Sequence, residues 1–331
     1  MDESNVNLAG KRILYIGPEF YNYHVSVNEA LVRLGATTRF YSEMEYSLLF
    51  RLLAKLCRPL AAKLVRQHLD MILRGESSSN YDAVFVIRGG FCDSEFVQKL
   101  KSCLPDARFY MYQWDSLKQN DYSNLIAMFD KVMTFDSLDA AKLNIPYEPL
   151  FYTSEYSNLL NERSEPLKYD LAFVGAYHSD RLEVVKKVAA FCDREGLAFR
   201  FHLFIKRLPL MRMLLTGRLK VADLRYLSTK SLSLPEVLDI YRESRAVLDI
   251  ELNIQSGLSI RTFEALGADL NLVTTNKHVM SEPFYDPKRI LVIDRDKVDL
   301  NVAFFTDKTV KKPYNDIDRY SLDKWLCRIF E

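Results

Sequence analysis

The stretch 244–276 constrains the fold of this chain more than any other part of the sequence. It contains an apolar run over 246–250, a polar segment over 253–259, apolar residues at helical spacing over 260–266 and a second apolar run over 270–274. This order predicts a strand, a loop, a helix and a strand of a parallel sheet. The loop and the helix N-terminus then lie at the carboxyl edge of the sheet, where anionic ligands bind.

A similar pattern opens each half of the chain. An apolar run over 11–17 ends in glycine and is followed by a helical pattern that Gly35 terminates. After a polar linker over 158–168 comes the apolar run 169–174. A glycine, Gly175, again follows the run, and a helical pattern comes next. Repetition of strand, glycine turn and helix predicts an α/β protein of two tandem Rossmann-like domains.

Length and composition agree with this division. The chain has 331 residues, of which 48% are hydrophobic, and this suits two domains with full cores. We predict an N-terminal domain over 1–160, a C-terminal domain over 161–314 and a C-terminal helix over 315–331. The net charge of +1 is not typical of a nucleic-acid-binding protein, so we expect no nucleic-acid partner.

Cysteine spacing and hydropathy indicate the compartment. The five cysteines are scattered and show no metal-ligand spacing, which predicts no metal site and a reducing environment. The polar start of the chain is unlike a signal peptide, and no apolar run approaches the roughly 20 residues that span a membrane. We therefore expect a cytoplasmic protein.

A leucine-rich basic segment over 43–74 has two interpretations. Its pattern predicts helices, with a kink or division at Pro59. One interpretation is a pair of amphipathic core helices with a solvated basic face. The other is a basic amphipathic surface that contacts anionic lipid, peripherally at the inner face of the membrane.

Candidate anion-binding residues cluster in the C-terminal half. Gly175 can expose amides at a helix start, and Arg181 either pairs with phosphate or is a solvated helix residue. Arg261 in the first helical turn and Glu264 about one turn later can both face the loop side.

The N-terminal half supplies a second set of candidates. Gly89 and Gly90 directly follow a strand, which lets the backbone approach a ligand or a facing domain. Trp114 and Asp115 follow another strand, and they are either a sugar platform beside a base or a core Trp and a capping Asp. His24 in a first helical turn is either a capping residue or part of a cleft.

Five segments carry a resemblance to a known family. They are Tyr-Met-Tyr-Gln-Trp-Asp-Ser over 110–116, Phe-Asp-Lys-Val-Met-Thr-Phe-Asp over 129–136, Pro-Leu-Phe-Tyr over 149–152, and the stretches 173–181 and 256–267. With them the chain resembles glycosyltransferases of the GT-B fold. More narrowly, it resembles a bacterial family of capsular and lipopolysaccharide biosynthesis glycosyltransferases related to the CgeB-like proteins.

The resemblance implies roles for individual residues. The C-terminal domain would bind the nucleotide-sugar donor, which is a substrate, and no cofactor or metal is implied. The donor-binding residues would be Gly175, Arg181, Ser256, Gly257, Arg261 and Glu264. The N-terminal domain would bind a saccharide or lipid-linked acceptor through Gly17, His24, Gly89, Gly90 and Trp114. The catalytic residues would be Asp115, as a base or an acceptor-orienting carboxylate, and Arg261, which stabilises the leaving diphosphate.

One departure from the family pattern leaves the stereochemistry open. Retaining enzymes commonly carry two glutamates at the donor loop, but Ser256 and Gly257 stand before Glu264 where the other glutamate is expected. Two other functions also stay open. One is a sugar-nucleotide epimerase of the same fold, and the other is a non-catalytic nucleotide-binding or scaffold protein of polysaccharide assembly.

Overall fold

The computed structural model describes residues 7–76, 79–162, 166–306 and 313–331. The chain divides into two compact units. The first comprises Met1–Leu150, Ile254–Gly257 and Leu322–Glu331, and the second comprises Phe151–Asn253 and Leu258–Ser321. Part of the predicted linker, residues 163–165, and the polar start of the chain, residues 1–6, lie outside the described residues.

The first unit is built on a parallel sheet with the strand order β2-β1-β3-β4-β5. Its elements are β1 (Arg12–Gly17), α1 (Tyr23–Arg33), β2 (Thr37–Ser42), α2 (Leu48–Leu56), α3 (Arg58–Glu76), β3 (Ala83–Ile87), α4 (Ser94–Cys103), β4 (Arg108–Gln113), β5 (Lys131–Thr134) and α5 (Ser137–Leu143). The central strand β3 reads Ala-Val-Phe-Val-Ile and is buried throughout, as expected of a parallel strand covered on both faces.

The second unit is built on a parallel sheet with the strand order β11-β10-β9-β6-β7-β8. Its elements are α6 (Ser154–Asn158), β6 (Tyr169–Ala176), α7 (Arg181–Glu195), β7 (Phe199–Phe204), α8 (Arg207–Leu215), β8 (Leu227–Ser228), α9 (Leu234–Arg242), β9 (Ser244–Asp249), α10 (Ile260–Gly267), β10 (Asn271–Thr274), β11 (Ile290–Val292) and α11 (Val302–Thr306). The predicted strand, loop, helix and strand over 244–276 are confirmed as β9, α10 and β10.

The terminal helix α12 (Leu322–Phe330) is shorter than the predicted helix over 315–331. A 3₁₀ turn over Ile317–Tyr320 precedes it, and Ser321 is extended. The reason is that this segment pairs with another strand-like segment: Tyr152 N donates to Tyr320 O at 2.9 Å, and Tyr152 and Ser321 form a parallel bridge.

Helix α12 belongs to the first unit and closes one face of its sheet. Trp325 is fully buried, and its ring lies 4.7 Å from that of Tyr112. Arg328 forms an ion pair with Glu148 at 2.7 Å, and both side chains are largely buried. The helix therefore contributes core and a buried ion pair to the first unit.

The leucine-rich basic segment forms two helices, as predicted, but most of its leucines are not in the core. The helices are separated at Cys57, and Pro59 lies in the first turn of α3, where its missing N–H costs no helical hydrogen bond. Phe50 is the buried residue of α2, whereas Leu48 and Leu56 are 83% and 75% exposed. Helix α2 therefore contributes Phe50 and, partly, Leu53 to a small cluster with Met44 and Ala61, and the remaining leucines of α2 lie outside it.

Of the helices in the described ranges, none combines the length and apolar character needed to cross a membrane.

Candidate functional site

Asp249 organises the start of α10 in the second unit. It is the last residue of β9 and is fully buried. Its carboxylate accepts hydrogen bonds from Ser259 Oγ at 2.7 Å, Arg261 Nη1 at 3.1 Å and Thr262 Oγ1 at 3.1 Å. Because these donors lie on the N-cap and first turn of α10, the buried carboxylate fixes that turn at the carboxyl edge of the sheet.

Arg261 is held in a largely buried position at this edge. Its guanidinium lies 5.1 Å from the centroid of the Phe173 ring, a cation–π contact, and 13% of the side chain is exposed. A Cβ at position 175 would lie 3.2 Å from Arg261 Nη2, so Gly175 leaves room for the guanidinium. The structure thus brings together two residues that the sequence predicted for the donor site.

The electrostatics of Arg261 favour its charged form. Burial opposes the charge, but Tyr241 and Asp249 more than offset this effect and raise the pKa of Arg261. Its Nε atom is buried and has no hydrogen-bond partner among the described residues. A buried N–H donor of this kind is a natural contact for an anionic oxygen.

Arg181 is buried at the first position of α7. Its Nε donates to Ile250 O at 2.8 Å and its Nη1 donates to Ala176 O at 3.2 Å. These carbonyls stand at the carboxyl ends of the neighbouring strands β9 and β6. The interpretation of Arg181 as a solvated helix residue is therefore wrong.

His178 lies in the turn between β6 and α7. Burial and the nearby positive charges of Arg181 and Arg261 lower the pKa of His178 to about 4. Its Nδ1 is buried without a hydrogen-bond partner in the described ranges, and the next residue, Ser179, has a φ of +53°. His178 is thus neutral at pH 7 and faces a cationic environment.

Glu264 lies one turn after Arg261 on α10, as predicted. It is 8% exposed, and its Oε1 accepts a hydrogen bond from Tyr156 Oη at 2.8 Å. The carboxylate is therefore oriented by a neighbouring helix, α6, within the second unit.

Ser256 and Gly257 belong to the first unit, where their loop is bound by Asp136. The Asp136 carboxylate accepts hydrogen bonds from Ser256 N at 2.7 Å, from Gly257 N at 3.0 Å and from Ser256 Oγ. A Cβ at position 257 would lie 2.4 Å from the Phe135 ring, so only glycine allows this close approach. The amides that the sequence assigned to a donor diphosphate thus contact a carboxylate.

Asp115 is paired with an arginine at the carboxyl edge of the first sheet. Arg88 Nε lies 2.8 Å from Asp115 Oδ2, and each of these side chains is 28% exposed. Burial raises the pKa of Asp115, and Arg88 opposes this rise without cancelling it. A partly exposed carboxylate with a raised pKa can accept a proton from a ligand hydroxyl.

Aromatic rings are exposed beside this carboxylate. Phe20 and Tyr21 are 48% and 66% exposed, and Trp114 is partly exposed. The Phe20 ring centroid lies 4.5 Å from that of Tyr21 and 6.2 Å from that of Trp114. The core interpretation of Trp114 is therefore wrong, and the group is of the kind that stacks on sugar rings.

Of the remaining acceptor candidates, Gly17 ends β1, His24 lies in the first turn of α1, and Gly89 and Gly90 follow β3. A Cβ on Gly17 would lie 3.2 Å from Tyr15 Oη, and His24 packs against Phe40 with ring centroids 5.2 Å apart. His24 Nδ1 is buried without a hydrogen-bond partner in the part of the chain that the structure describes. Gly89 has a φ of +62°, and Gly90 N donates to Glu43 Oε2 at 2.8 Å.

No metal centre emerges from the described residues. Within them, no group of three or more His, Cys, Asp or Glu side chains is arranged to hold a metal ion.

Glu43, Arg88 and Asp249 were not predicted from the sequence. Each residue directly follows a strand or ends one, so its position in the sequence could have indicated that it lies at the carboxyl edge of a sheet. Their partners are distant in sequence, however, and nothing local indicates which charges pair.

The two parallel α/β units define the fold class as GT-B, as predicted, and solved structures match almost the whole chain. The lipopolysaccharide outer core galactosyltransferase WaaB is similar with a TM-score of 0.56 and 13% identity, covering 96% of this chain and 98% of that one. An α-glucosyltransferase solved with UDP and DNA is similar with a TM-score of 0.56 and 10% identity, covering 97% and 95%.

An enzyme of another reaction class shares this fold. The UDP-GlcNAc 2-epimerase of Methanocaldococcus jannaschii is similar with a TM-score of 0.53 and 12% identity, covering 97% of this chain and 99% of that one. Searches of protein-family models and of curated proteins give no match.

Proposed function

We propose that the protein is a glycosyltransferase that moves a sugar from a nucleotide-sugar donor to a saccharide or lipid-linked acceptor. The observation that carries the proposal is Arg261, a buried guanidinium whose Nε has no partner among the described residues, at a helix start within a GT-B fold. Two proteins of similar fold, the α-glucosyltransferase and Anabaena HepE, were solved with UDP bound.

The second unit would bind the donor. Arg261 and the amides at the start of α10 would contact the diphosphate, with Gly175, Arg181 and His178 around it and Glu264 at the ribose. When the bond between the anomeric carbon and the diphosphate breaks, negative charge gathers on the leaving group. A fixed cation then stabilises the transition state more than the ground state.

The first unit would bind the acceptor. Trp114 and Phe20 would stack on a sugar ring, and Asp115 would orient the attacking hydroxyl and accept its proton as its oxygen bonds to the anomeric carbon. Gly17, His24, Gly89 and Gly90 would line the same edge. The products are then the glycosylated acceptor and a nucleoside diphosphate.

We place this activity in surface polysaccharide biosynthesis. The support is the resemblance of the segments 110–116, 173–181 and 256–267 to the CgeB-like family, together with the similarity of fold to a lipopolysaccharide galactosyltransferase.

Thermal-shift measurements with UDP, GDP, dTDP, CMP, ADP and their sugar derivatives test the donor assignment. A ligand that binds only the folded state at 100 times its Kd stabilises that state by about 2.7 kcal/mol. We expect a selective shift with one nucleotide, which Arg261→Ala and Glu264→Ala reduce. Arg200→Ala is the matched control, because Arg200 is exposed near the amino end of β7.

The outcomes separate the three functions. No shift with any nucleotide contradicts the donor site. A shift without sugar transfer to any acceptor favours the scaffold function. Conversion of the donor to an isomer without an acceptor favours an epimerase, a function that the M. jannaschii neighbour makes worth testing.

We also propose that α2 and the start of α3 contact anionic lipid. Leu48, Leu49, Leu52, Leu56 and Leu60 are each about half exposed or more. Basic residues lie between them, and no acidic residue occurs between Glu45 and Asp70. Exposed leucines combined with unopposed positive charge favour an anionic membrane interface over water.

Sedimentation with phosphatidylglycerol vesicles at low salt tests this contact. We expect binding to these vesicles, weaker binding to phosphatidylcholine vesicles, and loss of binding in Leu52→Glu/Leu56→Glu. Val32→Glu, at an exposed position on α1, is the control and should bind as the wild type does. Equal binding of all three proteins would contradict the proposal.

A further inference from the structure

Three charged residues meet at the carboxyl edge of the first sheet. Glu43 directly follows β2, Arg88 directly follows β3 and Asp115 comes two residues after β4. Arg88 Nη1 lies 2.5 Å from Glu43 Oε1, and Arg88 Nε lies 2.8 Å from Asp115 Oδ2. One guanidinium therefore bridges two carboxylates that come from different strand ends.

The backbone of Arg88 is held in an unusual conformation. Its φ is +66°, a left-handed value that is unfavourable for a non-glycine residue. Its carbonyl accepts hydrogen bonds from Gln113 Nε2 at 2.7 Å and from Asn120 Nδ2 at 3.1 Å. Strain that the surroundings maintain so firmly is characteristic of functional sites.

Space for the guanidinium is also provided. A Cβ on Gly90 would lie 3.2 Å from the Arg88 guanidinium, so a larger residue there would crowd it. The glycine that the sequence assigned to acceptor binding thus makes room for Arg88.

The two carboxylates differ in exposure. Glu43 is fully buried and accepts hydrogen bonds from Gly90 N at 2.8 Å and from Tyr46 Oη at 3.0 Å. Asp115 is partly exposed, beside the aromatic group of Phe20, Tyr21 and Trp114. Glu43 is therefore the inner, structural partner of Arg88, and Asp115 is the partner that a ligand can reach.

We propose that Arg88 is the positioning residue for Asp115, and that Glu43 limits how much of the charge of Arg88 acts on that carboxylate. This inference rests on the proposed function, in which Asp115 accepts the proton of the acceptor hydroxyl. A general base must be fixed in orientation yet remain basic enough to take a proton. An arginine that paired with Asp115 alone would fix the carboxylate but would weaken it as a base. An arginine that is shared with Glu43 fixes the carboxylate with a smaller loss of basicity.

The pKa directions agree with this arrangement. Burial raises the pKa of Asp115 and Arg88 lowers it, with a net rise. Burial also raises the pKa of Glu43, against the opposing effects of Arg88 and of hydrogen bonds from Tyr46 and Gly90. The charged and titratable groups around Asp115 are thus Arg88 and, behind it, Glu43 and Tyr46.

NMR titration of the intact protein tests the inference without donor or acceptor. Aspartate is labelled with ¹³C at the side-chain carboxyl, and Asp115→Asn assigns the Asp115 signal. We expect Glu43→Gln to lower the pKa of Asp115, because Arg88 then pairs with Asp115 alone. Glu43→Gln/Arg88→Gln should raise the pKa again, since the remaining cation is lost.

Arg88→Gln alone is not used, because it leaves Glu43 buried without its cation and can unfold the protein. The double variant removes both charges together. Glu76→Gln is the matched control, because Glu76 is also a fully buried carboxylate paired with an arginine of the first unit, Arg39. It should leave the Asp115 titration unchanged. An Asp115 pKa that is equal in Glu43→Gln and in the double variant overturns the inference.

Activity provides a second readout once a donor is known. The acid limb of the pH profile of kcat/KM should move to lower pH in Glu43→Gln, in parallel with the Asp115 titration. If the titration shifts occur but no sugar is transferred, the positioning role stands and the proposed function fails. If transfer occurs with an unmoved pH profile, Asp115 is not the base and the inference fails.

Discussion

The structure leaves no room for a side chain at Gly267. It is the last residue of α10 and lies under the Tyr152 ring. A Cβ at this position would lie 2.5 Å from Tyr152 Cγ and 2.9 Å from Tyr152 Cβ. These atoms are near the Tyr152 backbone, whose N–H is bonded to Tyr320 O, so the ring cannot easily move aside.

We predict that Gly267→Ala destabilises the protein. Overpacking in a core costs about 1–3 kcal/mol, and the higher helix propensity of alanine returns at most about 1 kcal/mol. Urea denaturation should therefore show a net loss of roughly 1–2 kcal/mol. In a Tyr152→Ala background the same substitution should be neutral or stabilising, and an unchanged cost there would contradict the steric explanation.

Individual site residues could be predicted only where the signal is local. Asp115 and Arg261 could be proposed as candidates because each follows a strand or begins a helix. Arg88 could not, because its role depends on Glu43 and Asp115, which are distant in sequence, and on a left-handed backbone that is rare for arginine. The local sequence also could not decide between the two interpretations of Arg181. They differ in the burial of the side chain, which the local sequence does not encode.

At the scale of elements, Asp136 links a helix to a loop. It is the N-cap of α5, where Oδ1 accepts from Leu138 N at 3.1 Å and from Asp139 N at 3.2 Å. Its Oδ2 accepts from the amides of Ser256 and Gly257. Burial alone would raise the pKa of Asp136, but the hydrogen bonds from Ser256 and Gly257 outweigh it and hold the pKa below its ordinary value.

We predict that Asp136→Asn destabilises the protein by about 1–3 kcal/mol at pH 7, because asparagine can cap α5 but places an amide against two N–H donors. A depressed carboxyl pKa stabilises the fold above the unfolded pKa of about 3.9, and this stability is lost as the pH falls through the folded pKa. Urea denaturation from pH 3 to 7 should therefore show the difference from wild type shrinking below about pH 4. A difference that is constant with pH would contradict a charge-based role.

The elements themselves were largely predictable, because alternating apolar runs and helical spacing are local signals. The exposure of most α2 leucines was not predictable, since their pattern fits a core helix as well as a membrane-facing one. The start of α12 was also missed, because the pairing of Tyr320 and Ser321 with Tyr152 is a long-range contact.

At the scale of the molecule, two sheets of the same parallel design each have their own core. The sequence revealed this duplication through its repeated strand, glycine and helix pattern. It did not reveal that α12 completes the first unit. The buried α12 side chains include Trp325, Leu326, Ile329 and Phe330. At about 1.5–3 kcal/mol for each side chain, their burial is worth roughly 6–12 kcal/mol, comparable to the whole stability of a domain.

We predict that deletion of residues 322–331 unfolds the first unit selectively. Hydrogen exchange measured by mass spectrometry should show loss of protection in β3 and β4, whereas protection in β9 and β10 persists. Trp325→Phe, which keeps an aromatic ring at the same place, should retain protection in β3 and β4. Protection in these strands after the deletion would contradict a structural role for α12.

The first unit is composed of segments that are far apart in the sequence, and this affects when it can fold during protein synthesis. Ribosomes produce the chain from its N-terminus, and domains commonly fold as soon as their last residue emerges. The first unit needs residues beyond Leu322, which follow the strands they cover by about two hundred positions. The apolar face of its sheet around Phe85 and Tyr112 therefore stays uncovered until nearly all of the second unit has been translated.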